Sequence, residues 1–295
     1  MAIQGWQSGK PGFRGLLVTD LDGTLLNDAG RIGDADLAAL AGLRASGYCT
    51  AIATGRSGYS FRRLMSEIGY AAAENNLPVD YLILSTGAAI IEHSAGRLLR
   101  SSVLAAAEVV TIGRYLEQAG FDYMVHRPVP VNEHFHYRRR NVANPDFQRR
   151  LDLAGNLAAP LEPMRLDNFG MATQFICIVQ PEEGHAAAER LQADLQRFSV
   201  IKATSPIDHR SIWVEIFPRE VSKSQSSQWL ADYLGLDRQQ VAAVGNDYND
   251  VDLLHWAGQP FVVANSPPAL SRVFPVVASN SMGGVAEAIA LWRGR

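Results

Sequence analysis

Gly15-Leu16-Leu17-Val18-Thr19-Asp20-Leu21-Asp22-Gly23-Thr24 is the stretch on which the reading of this chain turns. Its apolar start reads as a buried strand. Asp20 and Asp22 leave the strand end on one side, because side chains two apart share a face. Gly23 permits a sharp turn and a close approach of backbone to a ligand. A carboxylate that attacks, a second that moves a proton and a hard cation between them suit this arrangement. Phosphoryl transfer is therefore the first chemistry to consider. A lone Asp-x-Asp says little, since aspartates also cap helices and shape turns, so its weight depends on what surrounds it.

Outward from this stretch, strand and helix alternate. Apolar spacing and stop signals predict helices over 34–46 and 57–68, each followed by glycine, and strands over 48–53 and 81–85. The pattern returns near the end, with helices over 224–234, 250–256 and 285–292, a short one opening at Pro267, and strands over 241–244, 261–264 and 276–278. Between them the signal changes. A long helix is expected over 102–119 and another over 182–198. Strands are expected over 121–126, 173–180, 200–204 and 211–217. Residues 132–169 read as loop-rich, with one helix near 146–153. The fold class is therefore α/β: a Rossmann-like, doubly wound parallel-sheet core with an inserted α+β domain. The expected boundaries are 1–98 and 218–295 for the core and 99–217 for the insert.

The chain has 295 residues, enough for two domains, and its 47% hydrophobic and 19% charged residues are those of a globular protein. A net charge of -3 lacks the basic excess of nucleic-acid binders. No run is long enough to span a bilayer, and the polar, glycine-rich start, residues 1–14, has no secretory signal pattern. A cytoplasmic protein with a loose N-terminal tail is the expectation. Cys49 and Cys177 lie in apolar segments and read as buried thiols. Nothing in the sequence sets an oligomeric state.

Other strand ends carry polar groups of the right kind. The second strand ends in Thr54-Gly55-Arg56: a hydroxyl, a flexible backbone amide and a guanidinium. Lys223 starts a helix where the chain returns from the insert. A fourth strand runs into Gly245-Asn246-Asp247-Tyr248-Asn249-Asp250, a dense cluster of oxygen donors. Each has a plainer explanation: Thr54 as a helix-start group, Lys223 as a surface lysine, Asp247 and Asp250 as caps. Their joint placement at the carboxyl ends of sheet strands, where open α/β sheets bind ligands, favours a common site.

Together, Asp20-Leu21-Asp22-Gly23-Thr24, Thr54, Lys223 and the 245–250 cluster resemble the four motifs of the haloacid dehalogenase superfamily. The long insert between Thr54 and Lys223 resembles that of its Cof-type branch, whose α+β cap lies between the second and third motifs. Thr86-Gly87-Ala88 is similar to that branch's Asn-Gly-Ala, with threonine in place of asparagine. The family's fourth motif is Gly-Asp-x-x-Asn-Asp. Here Asn246 stands where the metal-binding aspartate is expected, and Asp247 is the alternative ligand.

The resemblance implies a Mg²⁺-dependent phosphatase of small phosphorylated metabolites such as sugar phosphates. Asp20 would be the nucleophile, forming an aspartyl-phosphate. Asp22 would serve as acid and then base. Thr54 and Lys223 would hold phosphate oxygens, with Gly55, Arg56, Thr86 and Gly87 binding substrate. The metal group would comprise Asp20, Asp22 through its backbone oxygen, Asn246 or Asp247, and Asp250. A phosphotransferase or mutase is an alternative, and a non-catalytic phosphometabolite-binding protein another. The basic, aromatic segment His126-Arg127 with His134-Phe135-His136-Tyr137-Arg138-Arg139-Arg140 could face the site. A solvated loop is the reading preferred here, and a zinc site from its histidines matches no common spacing. The strand over 211–217 reads as buried on both faces.

Overall fold

In the computed structural model, which describes residues 12–70, 77–140 and 143–294, the apolar run forms β1 (Leu16–Thr19), buried throughout. The first 11 residues of the expected tail lie outside the described residues. After a turn the chain forms α1 (Asp34–Ala45), β2 (Cys49–Ala53), α2 (Gly58–Glu67), β3 (Tyr81–Leu84), β4 (Ala89–Glu92), β5 (Arg97–Ser101) and α3 (Ala106–Gln118). Next come β6 (Tyr123–His126), β7 (Phe135–Arg138), α4 (Pro145–Ala154), β8 (Ala158–Pro160), β9 (Phe175–Val179), α5 (Pro181–Asp194), β10 (Ser199–Thr204) and β11 (Ile212–Phe217). The return comprises α6 (Lys223–Leu234), β12 (Val241–Gly245), α7 (Val251–Trp256), β13 (Gln259–Val263), α8 (Pro268–Ser271), β14 (Val276–Val277) and α9 (Gly284–Arg293).

These strands form two sheets. The eight-stranded sheet has the order β14-β13-β12-β1-β2-β3-β4-β5. It is parallel from β14 to β3, and antiparallel where β4 and β5 fold back as a hairpin. Alternation along β1 sends Leu17 to one face, with Leu40 and Leu43 of α1 and Val285 of α9. Leu16 and Val18 point to the other, with Leu230 of α6 and Leu253 of α7. Each such leucine contributes roughly 2 kcal/mol of transfer free energy. Strand order reverses between β1 and β12, so the crevice at their carboxyl ends is the switch point of a doubly wound sheet.

The six-stranded sheet has the order β10-β11-β9-β6-β7-β8 and is antiparallel apart from the β7–β8 pair. Helices α3 and α5 cover one face through Ile112, Leu116 and Leu191. On the other, Phe147 of α4 packs with Met124, Ile176 and Trp213. β11 is buried throughout, in keeping with its sequence.

Two expectations need correction. The helix expected from 102 begins at Ala106, because Leu104 is drawn into a bridge with Ala172 and the Glu108 carboxylate accepts the Ala105 N–H at 2.8 Å. Within 132–169 the expected helix is α4, and what the loop-rich reading missed is β7 and β8, strands too short to show a clear period. The basic segment is accordingly not a solvated loop. His126 and Phe135 are buried and their rings stack at 4.8 Å. Arg127 lies over the Phe169 ring, and Arg138 pairs with Glu117 at 3.7 Å. Both cysteines are free and buried. Among the described residues no helix is long and apolar enough to cross a membrane.

Candidate active site

Asp20 is the first residue beyond β1. Its N–H still donates to Val244 of β12, at 2.8 Å, so the sheet fixes its backbone. Its carboxylate is buried against Lys223, whose Nζ lies 2.6 Å from Asp20 Oδ1 and 2.6 Å from Asp250 Oδ1. Lys223, the first residue of α6, has no exposed surface. Its helix is capped by Ser222, whose hydroxyl accepts the Gln225 N–H at 3.2 Å. Burial pushes the Asp20 carboxyl up to about 7, against the pull of Lys223, while Asp250 and Asp22 add to the rise. Burial opposes the Lys223 ammonium, but the two carboxylates outweigh it and hold it above its ordinary value.

Asp250 uses both oxygens. Oδ1 accepts from Lys223, and Oδ2 accepts the N–H groups of Asn246 at 2.9 Å and Asp247 at 3.1 Å. It thereby ties the loop after β12 to the lysine. Asn246 turns toward the first loop, where its Oδ1 accepts from the Thr24 hydroxyl at 3.2 Å. Gly23, at φ +75°, lets it come this close: a Cβ there would lie 2.5 Å from Asn246 Nδ2. Asp247 points elsewhere. Its two oxygens accept the Thr204 N–H and hydroxyl at 2.8 and 3.0 Å. The neighbouring pair Asn246-Asp247 thus separates: Asn246 faces Asp20 and Asp22's loop, and Asp247 faces β10.

Asp22 sits in a bidentate pair with Arg56, at 2.7 Å from Nη2 and 2.9 Å from Nε. The Thr54 hydroxyl stands 3.5 Å from the same carboxylate and accepts the Arg56 N–H at 3.1 Å. Thr86 lies behind this strand end, its N–H donating to Thr54 O at 3.0 Å, and a Cβ on Gly55 would lie 3.6 Å from its hydroxyl. Gly87 packs on the start of α6, where the Ser226 hydroxyl donates to its carbonyl at 2.7 Å. The residues singled out in the sequence therefore gather at the ends of β1, β2, β3 and β12, with Asp247 at the outer margin.

Two groups from the six-stranded sheet reach this place without having been foreseen. Glu215 of β11 accepts the Thr86 hydroxyl at 2.8 Å. Asn132 donates to the Ser85 hydroxyl at 2.7 Å, and its carbonyl pairs with His126 Nδ1 at 2.8 Å. Glu215 had a signal, a lone carboxylate in an apolar strand. Asn132 had none. Among the described residues no group of three or more His, Cys, Asp and Glu side chains is placed to hold a metal. This leaves no support for zinc on His126, His134 and His136.

Comparison with known proteins finds phosphatases among its relatives. A 5-amino-6-(5-phospho-D-ribitylamino)uracil phosphatase of Bacillus subtilis is 27% identical over 286 residues, covering 92% of this chain and 95% of that protein. An HMP-PP phosphatase of Serratia proteamaculans is 25% identical over 268 residues, covering 88% of this chain and 87% of its own. Among solved structures, a phosphatase of the haloalkanoate enzyme superfamily from Bacteroides thetaiotaomicron superposes with a TM-score of 0.75 at 19% identity, covering 99% of both chains. A subclass IIB sugar phosphatase of that superfamily gives 0.72 at 16% identity, covering 95% of this chain and 99% of its own. The profile of the haloacid dehalogenase-like hydrolases matches residues 17–289, and the chain belongs to that family.

Proposed function

We propose that this chain is a Mg²⁺-dependent phosphatase of small phosphorylated metabolites, sugar phosphates among them, working through an aspartyl-phosphate on Asp20. The observation that carries the reading is the buried Asp20–Lys223–Asp250 chain at the switch point, with Thr54 on the adjoining strand end. The phosphatases among its relatives support the substrate class. Residues 102–217 act as a cap over a core formed by the chain up to 101 and by 218–295; the expected boundary at 98 moves because β5 is a strand of the eight-stranded sheet.

The donor set suits a hard cation. Asp20 offers a carboxylate, Asp22 its backbone oxygen and Asn246 an amide oxygen, all of the oxygen type that Mg²⁺ prefers. Asn246 can present that oxygen by turning its amide over, since the Thr24 hydroxyl accepts as readily as it donates. Asp247 is a poor candidate, because Thr204 occupies both its oxygens. Held by Asp20, the Asp22 backbone oxygen and Asn246, the ion would supply neutralisation of the phosphate charge.

An Asp20 oxygen attacks phosphorus and the bond to the leaving oxygen breaks. Asp22 gives that oxygen a proton, then takes one from the water that cleaves the acyl phosphate, releasing inorganic phosphate and restoring both carboxyls. Thr54, the Gly55 amide and Lys223 hold the remaining phosphate oxygens. Arg56 occupies both Asp22 oxygens, so it must exchange Asp22 for the anionic substrate before Asp22 can reach the leaving oxygen. Thr86 and Gly87 place the loop that flanks it.

The test is Asp20→Asn, which removes the nucleophile at little steric cost. Hydrolysis of p-nitrophenyl phosphate should fall by on the order of a thousandfold or more, with the circular dichroism melt preserved. Near-normal turnover in a folded variant would sink the mechanism. Phosphate release without transfer to an added sugar distinguishes hydrolysis from phosphotransfer.

A further inference from the structure

We propose that Asp247 is a positioning residue: it clasps the edge of the six-stranded sheet to the loop after β12 and thereby sets Asp250 and Lys223. Only the kinetic part of this proposal rests on the phosphatase reading.

β10 is an edge strand, and an edge presents backbone N–H groups with no strand partner. At its end the Thr204 N–H and hydroxyl both donate to the Asp247 carboxylate, at 2.8 and 3.0 Å. The next loop residue grips the same region. The Lys202 ammonium lies 4.5 Å from the centre of the Tyr248 ring, and His185 of α5 meets that ring edge-on at 5.7 Å. Inward, the Asp247 N–H donates to Asp250, Asp250 accepts from Lys223, and Lys223 donates to Asp20. Hydrogen bonds therefore run without a break from the edge of one sheet to the proposed nucleophile at the end of the other. Beside this joint lies an open groove of about 530 Å³, lined among others by Gln192, Lys202, Ser224, Tyr248 and Asp252. Ile201 of β10 also packs on the buried cluster of Ala88, Phe217 and Val221, so the Asp247 bonds add direction to a joint that apolar contact helps to hold. Losing one seats the sheet less firmly and leaves the 245–250 loop less ordered.

Hydrogen exchange on the full chain tests this. Asp247→Ala should speed exchange in peptides covering 199–204 and 245–250 by roughly tenfold. Thr204→Val keeps the backbone bond and should act less. Asp247→Asn keeps one accepting oxygen and should fall between. On p-nitrophenyl phosphate, kcat/KM should decline in the same order, and any rise in the Mg²⁺ needed for half-maximal rate should follow that order across the Thr204 and Asp247 variants alike, because Asn246 lies in the loosened loop. The double variant Asp247→Ala with Thr204→Val should be no worse than Asp247→Ala alone, as expected of two partners in one interaction. Unchanged exchange in β10 of a folded Asp247→Ala protein overturns the proposal. So does a raised Mg²⁺ requirement confined to the Asp247 variants, which would make Asp247 a metal ligand. A wild-type chain without turnover would count against the phosphatase reading, and the exchange measurement would still judge the clasp.

Discussion

Glu215 interrupts the apolar strand Ile212-Trp213-Val214-Glu215-Ile216-Phe217 and is buried there. Burial pushes its carboxyl up to about 7 from an ordinary 4.5, with the Thr86 hydroxyl and Lys223 opposing. The folded chain therefore binds this proton more tightly than the unfolded chain does. The resulting stabilisation is complete below about 4.5 and is lost as pH rises through about 7, on the order of 3 kcal/mol in all. Glu215→Gln should remove that share of the slope, so urea unfolding from pH 4.5 to 8 should show the variant gaining on wild type as pH rises. At Asn246 the issue is charge. An amide gives a divalent ion only a dipole, so Asn246→Asp should lower the Mg²⁺ needed for half-maximal rate by roughly tenfold. The rate at saturation need not rise, because a further negative charge also repels the substrate. Titration of activity with Mg²⁺ checks this, and no change would remove Asn246 from the metal group.

At the scale of elements, the loop after β3 and the start of α6 are built as one unit. Gly87 adopts φ +113°, and a Cβ there would lie 2.4 Å from the Ser222 carbonyl oxygen and 2.7 Å from Ser226 Oγ. Gly87→Ala should cost about 3 kcal/mol. It should also lower kcat more than tenfold, since displacing the first turn of α6 displaces Lys223; a melt and a rate constant on the same preparation report both. Legibility also varied by element. The helices and strands around the four motifs were readable because each buries a periodic face. β5 was not: Arg97-Leu98-Leu99-Arg100-Ser101 is half-exposed at a sheet edge and lacks alternation. β7 and β8 were obscured in the same way, being short strands at the far edge of their sheet.

For the whole molecule, what matters is that one sheet stands over the strand ends of the other. Asn132–Ser85, Glu215–Thr86 and Thr204–Asp247 all cross between them. A site covered in this way admits small anions and excludes large ones. Turnover of small phosphomonoesters should exceed that of a phosphorylated protein by at least about a hundredfold in kcat/KM, measured as phosphate release at matched ester concentration. Comparable rates on both would show that the six-stranded sheet does not cover the site during the reaction.

Which polar groups stand at the strand ends could be read from the chain alone. Asp20, Asp22, Thr54, Lys223 and Asp250 each follow or precede a segment whose period is visible locally, and a parallel sheet must bring such ends together. Their family membership was legible for the same reason. What depends on direction and on distant partners came with the packed fold. It set Asn246 toward Gly23 and Asp247 toward Thr204, although the two are adjacent in the chain, because the extended backbone at Asp247 sends consecutive side chains opposite ways. It paired Asp22 with Arg56 and brought Glu215 and Asn132 onto the loop after β3. Contacts of this kind arise from the packing of one sheet on another, and no local pattern of residues encodes them.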